Sequence, residues 1–165
     1  MTVTCYLGLG SNLDEPVRQV TRALEALNAH PAIRLASRSS FFGSKAIGPG
    51  VQPDFVNAAA KIETTLPPAQ LLTALQTIEN LQGRKRSLRW AARTLDIDIL
   101  LFGAQVINEP DLQIPHPRIG ERAFVLLPLQ EIAPDLQLPN GTSVASLLDY
   151  VSTDDVWLLQ SQDGV

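Results

Sequence analysis

Two aspartates two positions apart, Asp96 and Asp98, open the chemical reading of this 165-residue chain. On an extended strand, residues i and i+2 share a face with Cα atoms roughly 6 to 7 Å apart, so the two carboxylates stand side by side. Like charges this close require a counter-ion. One reading is a hard-cation site, because Mg²⁺ takes oxygen ligands, keeps several waters and completes its octahedron with phosphate oxygens. The other is a pair of surface carboxylates neutralised by arginines. Just upstream, Arg84, Lys85, Arg86, Arg89 and Arg93 place five of the 13 basic residues within ten positions. Guanidinium groups match phosphate oxygens in bidentate geometry, so carboxylates beside an arginine-rich loop point to a nucleoside triphosphate carried with Mg²⁺. A solvated surface loop is the plainer account of such a cluster. The familiar phosphate loop G-x-x-x-x-G-K-[ST] is missing, and Gly8-Leu9-Gly10-Ser11-Asn12-Leu13 lacks the third glycine of a dinucleotide fingerprint. Gly8 and Gly10 therefore read as close-approach positions at a strand end.

The elements that must position these groups follow from hydrophobic periodicity. Thr2 to Gly10 alternates with period two and predicts a half-buried strand. Val17, Val20, Leu24 and Leu27 then fall on one helical face, with Asn12 and Glu15 as the expected cap and first-turn acid. Ile33 to Phe42 predicts a second strand, Gly43 to Pro53 a loop, and Phe55 to Thr64 a third strand. Leu71, Leu75 and Ile78 mark a second helix that starts after Pro67 and Pro68 and stops at Gly83, before the basic loop. Thr94 to Phe102 is the fourth strand. Beyond it the chain turns Pro-rich and irregular, with a helix expected over Ser143 to Val151 and a short strand near Val156 to Leu159.

This order is the split β-α-β-β-α-β unit of ferredoxin-like α+β folds, an antiparallel sheet with both helices on one face, here followed by a C-terminal extension. Val56, Ala58, Ala60 and Ile62 make the helix-facing row of the third strand, and Leu95, Ile97, Ile99 and Leu101 that of the fourth. The opposite face, left open by the helices, then receives Phe55, Asn57, Asp96, Asp98, Tyr6 and Gly8. An aromatic, an amide and two carboxylates converge there.

Composition narrows the class further. With 45% hydrophobic residues and 165 positions, one domain over residues 1–165 is the expectation. Neither a membrane-spanning apolar run nor a signal-peptide n-region is evident, and the single cysteine, Cys5, suits a reducing compartment, so a cytoplasmic protein is expected. The net charge of −4 is distributed unevenly: all 13 basic residues lie before residue 123, and residues 123–165 carry six acids and no base. A single-stranded RNA-binding module of ferredoxin-like topology is the alternative, but such modules need a basic domain and paired aromatics on central strands.

The segments Tyr6-Leu-Gly-Leu-Gly-Ser-Asn-Leu13, Gln52-Pro-Asp-Phe-Val-Asn-Ala-Ala59, Arg93-Thr-Leu-Asp-Ile-Asp-Ile-Leu-Leu-Phe-Gly103 and Ile114-Pro-His-Pro117 carry a resemblance to a known family. With Arg122-Ala-Phe124 and Pro128-Leu-Gln-Glu-Ile-Ala-Pro134, they make the chain similar to the 6-hydroxymethyl-7,8-dihydropterin pyrophosphokinases of folate biosynthesis, as far as about residue 140. The resemblance implies transfer of the β,γ-diphosphate of ATP to the pterin hydroxymethyl group, with release of AMP, on a ferredoxin-like fold with two Mg²⁺. It implies Asp96 and Asp98 as metal ligands, and Arg84 and Arg93 beside them as catalytic residues. Ser44, Ile47, Phe55, Asn57 and Phe124 fall on its pterin site. Gln76, Glu79, Arg84, Arg86, Trp90, Arg93, Ile99, His116 and Arg122 fall on its ATP site. The partners implied are these two small molecules, with no nucleic acid or membrane, and the chain is sufficient as a monomer. Departures from the family pattern stand at Lys45-Ala46, Ala91-Ala92 and Pro117.

Overall fold

A computed structural model describes residues 1–13, 15–46, 53–82 and 95–159. Its main sheet is antiparallel throughout: β5 (Asp96–Phe102), β1 (Val3–Ser11), β4 (Phe55–Thr64), then β2 (Ile33–Arg38) and β3 (Phe42–Ser44), which both pair with β4. With β2 and β3 taken as one interrupted strand, the order is that of a ferredoxin-like sheet. A short strand, β8 (Val156–Leu158), adds to the outer edge of β3.

Helices α1 (Pro16–Ala29) and α2 (Pro68–Leu81) cover one face, as their 3.6-residue periodicity dictates. Each starts with proline in its first turn, where the missing N–H costs nothing. Between them and the sheet lies the larger core, with Leu7, Leu27, Ile62, Leu71, Leu75 and Leu95 fully enclosed. The helix-facing row of β4 is the expected Val56, Ala58, Ala60 and Ile62.

Several local expectations need correction. The cap of α1 is Glu15, in the left-handed region at φ 60, and the first turn holds no acid. Asn12 instead donates its Nδ2 proton to the Pro53 carbonyl at 3.1 Å, tying the end of β1 to the chain entering β4. The strand expected over 33–42 is broken between Arg38 and Phe42. There Ser39 Oγ accepts from Ala59 N–H, and Ser40 N–H and Oγ both donate to the Glu131 carboxylate. Gly43 and Ser44, placed in a loop by the sequence, belong to β3. In β5 the row runs Leu95, Ile97, Ile99 and then Phe102, not Leu101, because Leu100 is an extra residue opposite the Tyr6–Leu7 step of β1.

The second face of the sheet is only partly open. After β5, the region read as irregular forms a hairpin, β6 (Ile107–Glu109) with β7 (Leu112–Ile114), a 3₁₀ turn at Ile119–Glu121 and helix α3 (Ala123–Ile132). Helix α4 (Val144–Leu148) follows, shorter than the expected 143–151, with Ser143 Oγ capping Ser146 N–H at 3.0 Å. These helices bury Ala59 and Leu100 of the sheet under Ile119, Leu126, Leu129 and Val144, with Tyr6 at the margin. What remains uncovered is the part of that face at the start of β4 and β5. None of the described helices is long and apolar enough to cross a membrane.

Candidate active site

The uncovered part of the sheet is the floor of a cleft of about 650 Å³. Its rows are set by strand register. Asn57 of β4 pairs with Gly10 of β1, and Gly10 pairs with Asp96 of β5; Ala59, Gly8 and Asp98 form the next row. Two strand spacings separate Asn57 from Asp96, about 10 Å between Cα atoms. The glycines between them carry no side chain, so the floor is flat and a ligand can lie across it. A Cβ on Gly10 would stand 3.3 Å from Asn57 Oδ1, and one on Gly8 would touch Leu100. The close approach read at Gly8 and Gly10 from the sequence is thus the approach of a cleft floor.

At the β4 end, Asn57 and Ser44 are both 4% exposed, and Asn57 Nδ2 donates to Ser44 Oγ at 2.8 Å. Two buried polar side chains at the edge of an open cleft are oriented by each other, and Asn57 Oδ1 makes no hydrogen bond among the described residues. Phe55 and Phe124 both line the cleft, half-buried, and neither joins a hydrophobic core. This distinguishes them from Phe41 and Phe102, which do. Arg122 lies over the Phe124 ring with its Cζ 5.6 Å from the centroid, a cation–π distance.

At the β5 end, Asp96 and Asp98 both line the cleft, as the alternation required. Their backbone is held from behind: Glu79 of α2, 5% exposed, accepts the N–H of Ile97, between the two aspartates, at 2.7 Å. His116 stands 3.9 Å from Asp98, Nε2 to Oδ2. Its Nδ1 accepts the Arg118 N–H at 3.1 Å, so the neutral ring carries its proton on Nε2, toward Asp98. Burial lowers the His116 pKa from its ordinary value; Asp98 opposes this, and Arg122 and Arg118 reinforce it. The imidazole is therefore held neutral, as a donor.

The remaining expected residues are distributed as follows. Gln76 is exposed on α2 and, like the buried Glu79, is not part of the cleft lining. The Ile99 side chain is in the main core, 4% exposed. Ile47, Arg84, Arg86, Trp90 and Arg93 lie outside the described residues. Lining residues that sequence reasoning missed are Lys45, Arg118, Glu121, Ser152, Asp155 and Val156. Arg118 and Glu121 pair at 3.3 Å on the 3₁₀ turn, in the spacing i, i+3 that could have flagged them. The short strand expected near Val156 to Leu159 is β8 (Val156–Leu158), but its pairing with β3, which brings Ser152, Asp155 and Val156 to the cleft, had no signal in the sequence.

Among the described residues no cluster of three or more His, Cys, Asp or Glu could hold a metal ion alone. Two carboxylates fit a cation that takes its other oxygens from water and a phosphate-bearing ligand.

A family model for 7,8-dihydro-6-hydroxymethylpterin-pyrophosphokinase matches residues 6–134. The chain belongs to this family. It is 51% identical over 146 residues to the 2-amino-4-hydroxy-6-hydroxymethyldihydropteridine pyrophosphokinase of Haemophilus influenzae, covering 88% of this chain and 91% of that one. Against the enzyme of the same name from Bacillus subtilis it is 40% identical over 137 residues, 83% and 82% of the two chains. The folic acid synthesis protein fol1 of Pneumocystis carinii is 39% identical over 152 residues, covering 92% of this chain and 20% of that protein. Among solved structures, the Plasmodium falciparum HPPK-DHPS triple mutant with pteroate superposes with TM-score 0.71 at 14% identity, over 91% of this chain. The chain spans 41% of that solved protein, and the likeness shows the pyrophosphokinase fold alone. None of these relatives supports the RNA-binding alternative.

Proposed function

We propose that the cleft transfers the β,γ-diphosphate of ATP to the hydroxymethyl oxygen of 6-hydroxymethyl-7,8-dihydropterin, giving the pterin diphosphate and AMP for folate biosynthesis. The observation that carries this reading is the row Asn57–Gly10–Asp96, with a hydrogen-bond reader at one end, a carboxylate at the other and a flat glycine floor between. A planar heterocycle whose edge is read at Asn57 directs its opposite substituent across Gly10 toward Asp96 and Asp98. Phe55 and Phe124 supply apolar surfaces for the ring faces, and Asn57, with one acceptor still to satisfy, suits the amide-like ring edge.

Asp96 and Asp98 are the residues that would hold Mg²⁺, two ions on this reading, which when bound neutralise phosphate charge and polarise the phosphoryl group. The protein's own part is positioning and electrostatics. Arg122 and Arg118 bring positive charge to the cleft wall, and neutral His116 offers an Nε2 proton beside Asp98. On this reading Arg84, Arg86, Trp90 and Arg93 of the basic segment, with Gln76, Glu79 and Ile99, serve the phosphates and nucleoside of ATP. A side chain of Ile99 held in the core leaves only its backbone for such a contact. The whole of residues 1–165 forms the working domain on this reading, and the buried thiol of Cys5 suits a reducing, cytoplasmic setting.

The test is product analysis. AMP should form from ATP only when both the hydroxymethyldihydropterin and Mg²⁺ are supplied. Formation of ADP, or AMP released without the pterin, would overturn the assignment.

A further inference from the structure

Residues beyond 134 lie outside the span matched by the family model, yet they build part of the cleft wall. Strand β8 pairs with β3 in the register Phe42 with Leu158, Gly43 with Trp157, and Ser44 with Val156. The ladder continues past both ends of β3: Lys45 N–H donates to the Asp155 carbonyl at 3.2 Å, and Leu159 N–H to the Phe41 carbonyl at 3.0 Å. Alternation then places Val156 on the cleft face beside Ser44, where it lines the cavity, and Trp157 on the opposite face. There the indole packs closely against Gly43. A Cβ at position 43 would overlap its Cε2, Nε1 and Cζ2 atoms, so only glycine accommodates the ring.

Strand β3 is three residues long, and a strand this short has little stability of its own. It is held by β4 on one side and by β8 on the other, and it carries Ser44, the partner that orients Asn57. We propose that β8, clamped by Trp157 on Gly43, is the positioning element that holds Ser44 against Asn57 and thereby sets affinity at the ring end of the cleft. Trp157 acts through Gly43 and Ser44 and touches no ligand. This inference rests on the pterin occupying that end, as proposed above.

The experiment is a cycle of Gly43→Ala, Trp157→Ala and the double variant in the full chain, with the pterin Kd measured by titration calorimetry and steady-state constants for both substrates. Loss of one oriented buried hydrogen bond predicts a pterin Kd raised about three- to tenfold in each single variant, with kcat and the KM for ATP within about twofold. Removing the indole makes room for the new methyl, so the double variant should bind no worse than Trp157→Ala. Trp157 is 37% exposed, which limits the cost of removing it. Should Trp157→Ala not unfold cooperatively, Trp157→Phe takes its place in the same cycle. An unchanged pterin Kd in the Trp157 variant, or fully additive effects in the double variant, overturns the proposal. Equal losses for ATP and pterin also overturn it, since they indicate general loosening. A wild-type chain that does not bind the pterin at all removes the function reading and this inference together.

Discussion

Glu79 separates two roles that the sequence merges. The family resemblance places it against ATP, whereas its carboxylate is 5% exposed and accepts Ile97 N–H at 2.7 Å. Strand β5 is the end strand of the main sheet, and this amide is satisfied by a helix in place of another strand. A hydrogen bond to a charged group contributes about 1.5–3 kcal/mol, and leaving a buried N–H unpaired costs about 1–3 kcal/mol. Glu79→Ala should therefore lower unfolding free energy by about 3 kcal/mol, a large part of the roughly 5–15 kcal/mol of a typical domain. Glu79→Gln keeps an oxygen acceptor and should lose only about 1 kcal/mol. In urea, with a slope of about 2 kcal/mol/M, the alanine variant's midpoint falls by about 1.5 M and the glutamine variant's by about 0.5 M. Amide exchange at Ile97 should accelerate in the alanine variant before that of Leu7 or Ile62, deeper in the core. A midpoint for Glu79→Ala within about 0.3 M of wild type, with ATP affinity alone weakened, would refute the anchoring role.

Asp98→Asn keeps the side-chain shape but removes a charge, and should lower turnover by at least about 100-fold while the pterin Kd stays within about twofold; a rate within about tenfold of wild type would sink the metal role. Phe55→Ala removes an aromatic wall that belongs to no core, so pterin affinity should fall roughly tenfold with little loss of Tm; the reverse pattern would make Phe55 a packing residue. Cys5 gives a pH prediction. Burial pushes its thiol from 9.0 up to about 12, so above pH 9 the unfolded chain releases a proton that the folded chain retains. Stability is then full below pH 9 and falls as pH rises between 9 and about 12, by about 1.4 kcal/mol at pH 10. In denaturant titrations the unfolding free energy lost between pH 8 and pH 10 should be larger in wild type than in Cys5→Ala by about that amount, and equal losses would contradict it.

The ferredoxin-like scaffold is legible because its signals are local. Strand β4 runs from Phe55 to Thr64 as read, since the apolar row Val56, Ala58, Ala60 and Ile62 recurs with period two between proline-marked stretches. Helix α2 is bounded by Pro67 and Pro68 for the same reason. Helix α3 was missed because Ala123–Ile132 is apolar on every side, which erases the 3.6-residue period, and because Pro128 inside it reads as a breaker. The gap between β2 and β3 depends on Glu131, 91 positions from Ser40, and no local pattern announces it. In the candidate site, Phe55, Asn57, Asp96 and Asp98 follow from alternation alone. Arg118 and Glu121 come from the 3₁₀ turn on the second face of the sheet and Asp155 from the start of β8 at the edge of β3, so their approach is a tertiary event.

The division of that second face also explains how an acidic chain can hold a polyanionic ligand. Helices α3 and α4 cover the far ends of β4 and β5 and confine the polar floor to one cleft, so charge is presented over the span of a small molecule and not along the sheet. Among the described lining residues, Asp96, Asp98, Glu121 and Asp155 outnumber Lys45, Arg118 and Arg122. A single-stranded nucleic acid gains affinity by neutralising many phosphates with a basic surface, and the uncovered floor is too short and too acidic for that. On the proposed function, a triphosphate that arrives with divalent cations would bring its own positive charge for the aspartates, while the arginines would meet its oxygens. On that reading the aspartate pair and the basic segment beside it in sequence are complementary halves of one electrostatic demand, each matched to only half of a metal-bound triphosphate.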